Sequence, residues 1–142
     1  MLKNAEFTDK LRSSGLRPTK QRLKICEILF NREKTFHFTI NQLAKSIANN
    51  LNEKISLATI YNTVHAFKKK GYLKEISINS DKSYFDTNIT NHHHFFDEDT
   101  EELIDCDPKD IDSVNIKNNV TGKKINSVEI LIKVATDNQN QK

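Results

Sequence analysis

The stretch that most restricts the fold of this chain runs from Ser56 to Thr87. Ser56 suits a helix N-cap, because its hydroxyl can accept from a first-turn amide that has no partner inside the helix. Gly71 suits the residue just past a helix end, where the backbone turns left-handed. Between them Leu57, Ile60, Val64 and Phe67 recur at helical spacing and predict one apolar face. The opposite face carries Ala58, Thr59, Tyr61, Asn62 and His65, and Lys68-Lys69-Lys70 close the helix. Tyr72 to Ile78 then alternates toward a strand, Asn79-Ser80-Asp81-Lys82 reads as a turn, and Ser83 to Thr87 returns as a second strand.

What precedes this stretch is a series of helices. Ala5 to Ser14 predicts a short amphipathic one, with Phe7 and Leu11 on one face and Gly15 as its cap. Leu16-Arg17-Pro18 must run extended, since the residue before proline avoids helical angles. Thr19 caps a helix from Lys20 to about Asn31, in which Leu23, Ile25, Cys26, Leu29 and Phe30 face a core and leave Cys26 an inert buried thiol. Glu33 to Phe38 reads as a loop containing His37. Thr39-Ile40-Asn41-Gln42 has the form of a capping box, opening a helix to about Asn50 with Ile40, Leu43, Ala44 and Ile47 inward.

Helices followed by a strand pair make a winged helix-turn-helix arrangement. In that arrangement the helix from Ser56 would enter a major groove. Asn62 can pair with adenine, Ala58, Thr59 or the Tyr61 ring can meet a thymine methyl, and Lys68 suits a phosphate. Arg12, Arg17, Lys20, Arg22 and Lys24 would add backbone contacts. The plainer alternative is a surface helix with a solvated outer face.

Charge supports a division into two modules. Residues 1–80 hold 15 Lys/Arg against 6 Asp/Glu, a net +9, whereas residues 81–142 hold 7 against 13, a net −6. A basic front suits a polyanion and an acidic back suits cations. The polar N-terminus lacks a signal-peptide core and no apolar run approaches the roughly 20 residues of a membrane span, so the expectation is a cytoplasmic protein without membrane association. Cys26 and Cys106 lie too far apart in sequence to suggest a disulfide framework.

The back half centres on His92-His93-His94. In an extended segment His92 and His94 point one way and His93 the other. With Asp86 before them and Asp97, Glu98, Asp99, Glu101, Glu102 and Asp105 after, the two like-facing imidazoles form half of a metal site. An exposed histidine run in a polar turn is the bland alternative. Strands are expected at His92–Phe96 and Glu101–Cys106, a helix over roughly Lys109 to Asn118 behind Pro108, a turn at Val120-Thr121-Gly122, and a third strand over Lys124 to Ala135. About 50 residues this poor in large apolar side chains bury little alone, so dimerisation through the sheet is expected.

In order, Gly15-Leu16-Arg17-Pro18-Thr19-Lys20-Gln21-Arg22, Ser56-Leu57-Ala58-Thr59-Ile60-Tyr61-Asn62, Ser83-Tyr84-Phe85-Asp86 and the histidine run resemble the ferric-uptake-regulator family of metal-responsive transcription factors. The unbroken histidines look most like its iron response regulator branch, which is linked to haem. The resemblance implies an α+β fold, with a winged helix-turn-helix DNA-binding domain over residues 1–88, hinge included. A small α/β dimerisation and metal-sensing domain over 89–142 would follow. It places the regulatory metal on His37, Asp86, His92, His94 and Asp105, a nitrogen and oxygen set suited to Fe(II) or Mn(II). It leaves His92, His93 and His94 as candidate haem ligands. It assigns DNA contacts to Arg17, Lys20, Arg22, Ala58, Thr59, Tyr61, Asn62, His65 and Lys68. Many relatives hold a structural zinc on two Cys-x-x-Cys pairs; here the first pair's positions are Asp97 and Thr100 and the C-terminal region has no cysteine, which excludes a four-cysteine zinc.

The resulting expectation is a homodimeric repressor of iron homeostasis on an AT-rich two-fold operator in double-stranded DNA, its affinity set by iron, manganese or haem. Two alternatives remain open at this point: a peroxide sensor of the same family, and a non-haem metalloenzyme using two histidines and a carboxylate.

Overall fold

The structure, a computed structural model, describes residues 4–51 and 54–138. The chain forms two compact units, Met1–Ile89 and Thr90–Lys142.

In the first unit, helices α1 (Asn4–Ser13), α2 (Lys20–Phe30), α3 (Ile40–Leu51) and α4 (Leu57–Lys70) enclose the core. Strands β1 (His37–Phe38), β2 (Lys74–Ser77) and β3 (Ser83–Asp86) form one antiparallel sheet in the order β1-β3-β2. The helix ends follow the capping chemistry. Thr19 Oγ1 accepts from Arg22 N at 3.2 Å. Thr39 Oγ1 accepts from Gln42 N at 3.1 Å while Gln42 Oε1 accepts from Thr39 N at 3.0 Å, closing the capping box. Ser56 Oγ accepts from Thr59 N at 3.1 Å, and Gly71 takes the left-handed φ of 94° that ends α4. Phe7, Leu11, Ile25, Cys26, Leu29, Phe38, Leu43, Ile47, Ile60, Val64, Phe67 and Phe85 are buried together.

Two expectations are corrected in this unit. Leu57, in the first turn of α4, is 54% exposed, and Thr63 is buried in the helix face instead. The segment expected to be a loop through His37 ends in a short strand, β1, which pairs with β3.

The second unit is a three-stranded sheet in the order β5-β4-β6. Strands β4 (His94–Asp97) and β5 (Glu102–Asp105) are antiparallel, and β6 (Leu131–Val134) runs parallel to β4. The helix expected over Lys109–Asn118 is absent. Asp107 caps a single 3₁₀ turn, Pro108–Asp110, and the backbone then extends at Ile111. Val114, Ile116 and Val120 lose side-chain freedom in a helix, and the asparagines between them favour turns. The last strand begins at Leu131 rather than Lys124, because its ladder partner β4 begins only at His94.

Candidate metal centre and nucleic-acid face

Each unit contributes a cluster of ligand-type side chains. In the first, the β1–β3 register sets His37 opposite Asp86. His37 Nε2 lies 3.1 Å from Asp86 Oδ2. Asp86 is fully buried, and its other oxygen accepts from Asn88 N at 2.8 Å. A buried carboxylate needs such partners, since burial without them would neutralise it. Phe36 N donates to Thr87 Oγ1 at 2.8 Å and Thr87 N donates to Phe36 O at 3.1 Å, so the pairing continues beside these two side chains.

In the second unit, the β4–β5 register sets His94 opposite Asp105. Asp105 Oδ1 lies 3.2 Å from His92 Nε2 and 3.3 Å from His94 Nε2. The two imidazole rings are 4.3 Å apart. His92 Nδ1 is 2.7 Å from the Thr90 carbonyl oxygen. A carbonyl only accepts, so Nδ1 carries a proton in this contact, which leaves Nε2 as the ring nitrogen that could offer a lone pair to a metal. Separations near 3.2 Å match the edges of a coordination shell whose bonds are about 2.1 Å long. The donor set therefore fits a divalent cation on its own chemistry.

His93 points elsewhere. Its Nδ1 accepts from Ile130 N at 3.0 Å, which leaves the proton on Nε2. That is the reverse of the arrangement on His92 and of what a ligating ring requires. It shares a cavity of about 210 Å³ with Cys106, Pro108, Ile111 and Val114. Neither cysteine offers a thiolate: burial pushes the Cys26 thiol up to about 12, and burial with Asp110 and Asp107 nearby raises that of Cys106.

The hairpin tip at Asp97–Thr100 is closed by carboxylates. Asp97 Oδ1 accepts from Asp99 N at 2.9 Å and Thr100 N at 3.2 Å. Asp99 Oδ2 accepts from Thr136 N at 2.6 Å, just beyond β6, and hydrogen bonds from the Thr136 side chain and then from this N–H hold the Asp99 carboxyl below its usual range. These hydrogen bonds tie the tip to the end of β6 at the positions where cysteines would be needed for zinc.

The residues expected to meet DNA all lie in the first unit. Ala58, Tyr61 and Asn62 are exposed on α4, and Thr59 is half-buried there. His65 stacks against Tyr61 with centroids 4.0 Å apart and meets the Phe85 ring edge-on at 5.5 Å, so it also braces the helix against β3. Lys68 Nζ is 2.6 Å from Glu75 Oε1 and tethers α4 to β2. Arg17, Lys20 and Arg22 line an open depression of about 540 Å³ with Thr19, Gln21 and Thr59, which brings three cations to one end of α4. Sequence reading missed Thr90, whose carbonyl sets the His92 tautomer, and Asn88, whose amide holds Asp86. Backbone partners of this kind leave no residue-type signal.

Residues 13–134 match the model of the ferric uptake regulator family. The peroxide-responsive repressor PerR of Staphylococcus epidermidis is 33% identical over 109 residues, covering 77% of this chain and 71% of the relative. The peroxide operon regulator of Bacillus subtilis is 30% identical over 121 residues, covering 84% and 81%. Among solved structures, the fold is that of the ferric uptake regulator from Pseudomonas aeruginosa with manganese, at a TM-score of 0.65 and 21% identity over 96% of this chain and 98% of that one. The Vibrio cholerae ferric uptake regulator gives 0.66 and 24% over 91% and 98%. The curated relatives named above are peroxide regulators and lend nothing to the iron response regulator branch expected from the histidine run. With the family model covering most of the sequence, the chain belongs to the ferric uptake regulator family.

Proposed function

We propose that this chain is a metal-loaded, DNA-binding repressor that responds to peroxide. Membership of the family makes it a metal-responsive transcriptional regulator and not an enzyme. The finer reading rests first on the convergence of His92 Nε2 and His94 Nε2 on Asp105 Oδ1, with the His92 tautomer held by Thr90. In this proposal His37 and Asp86 of the first unit and His92, His94 and Asp105 of the second hold one Fe(II) or Mn(II). Ligands drawn from both units tie one unit to the other. That link sets the spacing of the two α4 helices in a homodimer reading an AT-rich two-fold operator. DNA affinity then changes by the difference in metal affinity between the linked and unlinked states.

Two readings share this ligand set. Control by iron or manganese supply needs only binding and release. Control by peroxide would in addition need the ion held by these residues to be Fe(II), which could supply reducing electrons, and would make His37, His92 and His94 the oxidisable side chains beside it. The peroxide names of relatives at 30% identity or more favour the second. His93 is left out of the site, since its Nδ1 is engaged by Ile130, and haem is not carried forward.

A titration of a two-fold AT-rich duplex with the protein in chelator, Mn(II) or Fe(II), each with and without hydrogen peroxide, separates them. We expect both metals to tighten DNA binding and peroxide to release only the Fe(II)-loaded protein. Release of neither form would reduce the function to metal supply, and equal DNA affinity in chelator and metal would remove the assigned site.

A further inference from the structure

Five rings, Phe36, Phe38, Phe85, His65 and Tyr61, form a continuous row in the first unit. Phe36 stacks on Phe38 with centroids 5.1 Å apart, and Phe38 stacks on Phe85 at 5.8 Å. Phe85 meets His65 nearly at a right angle, 83°, with centroids 5.5 Å apart, and the His65 ring lies 4.0 Å from that of Tyr61. The Arg32 guanidinium covers one end of the row, 3.8 Å from the Phe36 centroid. At the other end Tyr61 is 53% exposed, on the side of α4 expected to meet DNA. Rings at these separations favour particular stacked and edge-on geometries, so the tilt of each constrains the next.

The row starts where the ligand-type side chains of the first unit stand. The β1–β3 register sets His37 opposite Asp86 and, on the next rung, Phe38 opposite Phe85. Neighbours on a strand point to opposite faces. The imidazole and the carboxylate therefore share one face of the strand pair, and the two phenyl rings share the other. Strand β1 is two residues long and lies at the edge of its sheet, so its ladder alone fixes it weakly. Whatever clamps His37 Nε2 to Asp86 Oδ2 also steadies the Phe38–Phe85 stack behind them. That stack is buried in a close-packed core, where a displaced side chain presses on its neighbours. One of those neighbours is His65, which sits a single helical turn beyond Tyr61 on α4.

We propose that His65 is a positioning residue: through Phe85 and Phe38 it passes the state of the His37–Asp86 pair to Tyr61. With the pair clamped, the stack is fixed, His65 has one seat against Phe85, and Tyr61 is held in one orientation for reading a base. With the pair released, β1 shifts, His65 loses that seat, and Tyr61 samples several orientations. The relay works inside each first unit and adds to any change in the spacing of two α4 helices. It rests on the metal reading above, since a bound ion is what clamps the pair.

The ratio of DNA affinities in Mn(II) and in chelator, measured with the full chain on a two-fold AT-rich duplex, tests the relay. His65→Leu keeps the bulk and removes the ring; it should lower that ratio by about fivefold, an ordinary size for coupling between two sites. Its Mn(II) affinity without DNA, read by calorimetry, should match wild type. His65→Phe restores a ring and should recover the wild-type ratio. A base contact made by the imidazole itself would be lost in both variants, and equally with and without metal. Weaker DNA binding in both at an unchanged ratio would therefore overturn the relay. Phe85→Leu removes a ring that is 2% exposed and too deep to touch DNA, and it should lower the ratio as His65→Leu does. An unchanged ratio in that variant, folded by circular dichroism, would overturn the relay as well. Without DNA, Mn(II) should slow nitration of Tyr61 by tetranitromethane, read by peptide mass spectrometry, in wild type and His65→Phe but not in His65→Leu. A wild-type chain that binds no Mn(II) would overturn the metal reading and the relay together. A wild-type chain that binds Mn(II) while its Tyr61 nitration stays constant would overturn the relay alone.

Discussion

The first unit sets Phe38, Leu43, Ile60, Val64 and Phe67 at zero exposure inside four helices and a sheet, whereas among the described residues the second buries Phe96, Leu103, Cys106 and His94. The first presents polar and basic side chains on a frame that needs nothing else, as reading DNA by fixed geometry requires. The second sets two histidines and a carboxylate on and beside a small sheet, next to a long exposed stretch over residues 112–129. Elements of low intrinsic stability are where ligands shift populations, so the weaker unit is the natural place for a signal to enter.

The largest test of this contrast is the core of the first unit. Phe67→Ala, removing a fully buried ring that meets Phe30 edge-on at 5.5 Å, should lower stability by about 3–5 kcal/mol in urea unfolding. The loss should not depend on protein concentration. Unfolding of the second unit should shift with concentration, as expected when folding is coupled to assembly. A concentration-independent transition in both would remove the contrast.

His92→Ala with His94→Ala should lose about 100-fold or more in Mn(II) affinity, read by calorimetry, since even outer partners of a ligand matter by 10- to 100-fold. Helix content should be unchanged, because the α-helices and their core belong to the first unit and these histidines to the second. A variant that keeps its Mn(II) affinity would move the site elsewhere.

Local chemistry was readable in the chain and tertiary cover was not. The caps at Thr19, Thr39, Ser56 and Gly71 stand as expected, because each needs only its own turn. Leu57 was misplaced because periodicity tells which way a side chain points, not whether anything lies over it. The two-residue strand at His37 is too short to carry a period, yet its register with β3 is what sets His37 against Asp86. Alternation correctly placed His92 and His94 on one side and His93 on the other, and Asp86 stood out as an upstream carboxylate, whereas His37 entered the proposed ligand set through family resemblance alone. The helix expected over Lys109–Asn118 fails because its apolar residues suggest a helical face while its β-branched and asparagine content favours extended chain and turns.

A smaller effect falls on the cap beside His37. Thr39→Ala removes the acceptor for Gln42 N and frees the Gln42 side chain from Thr39 N. It should lower stability by about 1 kcal/mol in urea unfolding. Because Phe38 and His37 lead directly into this cap, Mn(II) affinity should fall slightly as well. An unchanged midpoint would show that packing of Leu43 and Ile47 alone holds the start of α3.

The smallest effect expected is the tether between α4 and β2. The Lys68 ammonium beside Glu75 holds the Glu75 carboxyl below the usual glutamate range, against a weaker opposing effect of burial. A carboxylate depressed on folding contributes stability that is present above its unfolded pKa of about 4.3 and is lost as pH falls through the lower folded value. Both side chains are partly solvated, 46% and 24% exposed, so the contribution stays under about 1 kcal/mol. Glu75→Gln should therefore match wild type in acid and fall slightly behind it near neutrality, with the gap narrowing in high salt. A gap that widens on acidification would mean that Glu75 acts through burial of its protonated form rather than through Lys68. Lys68 would then be free to meet a phosphate, and β2 would lose its tie to α4.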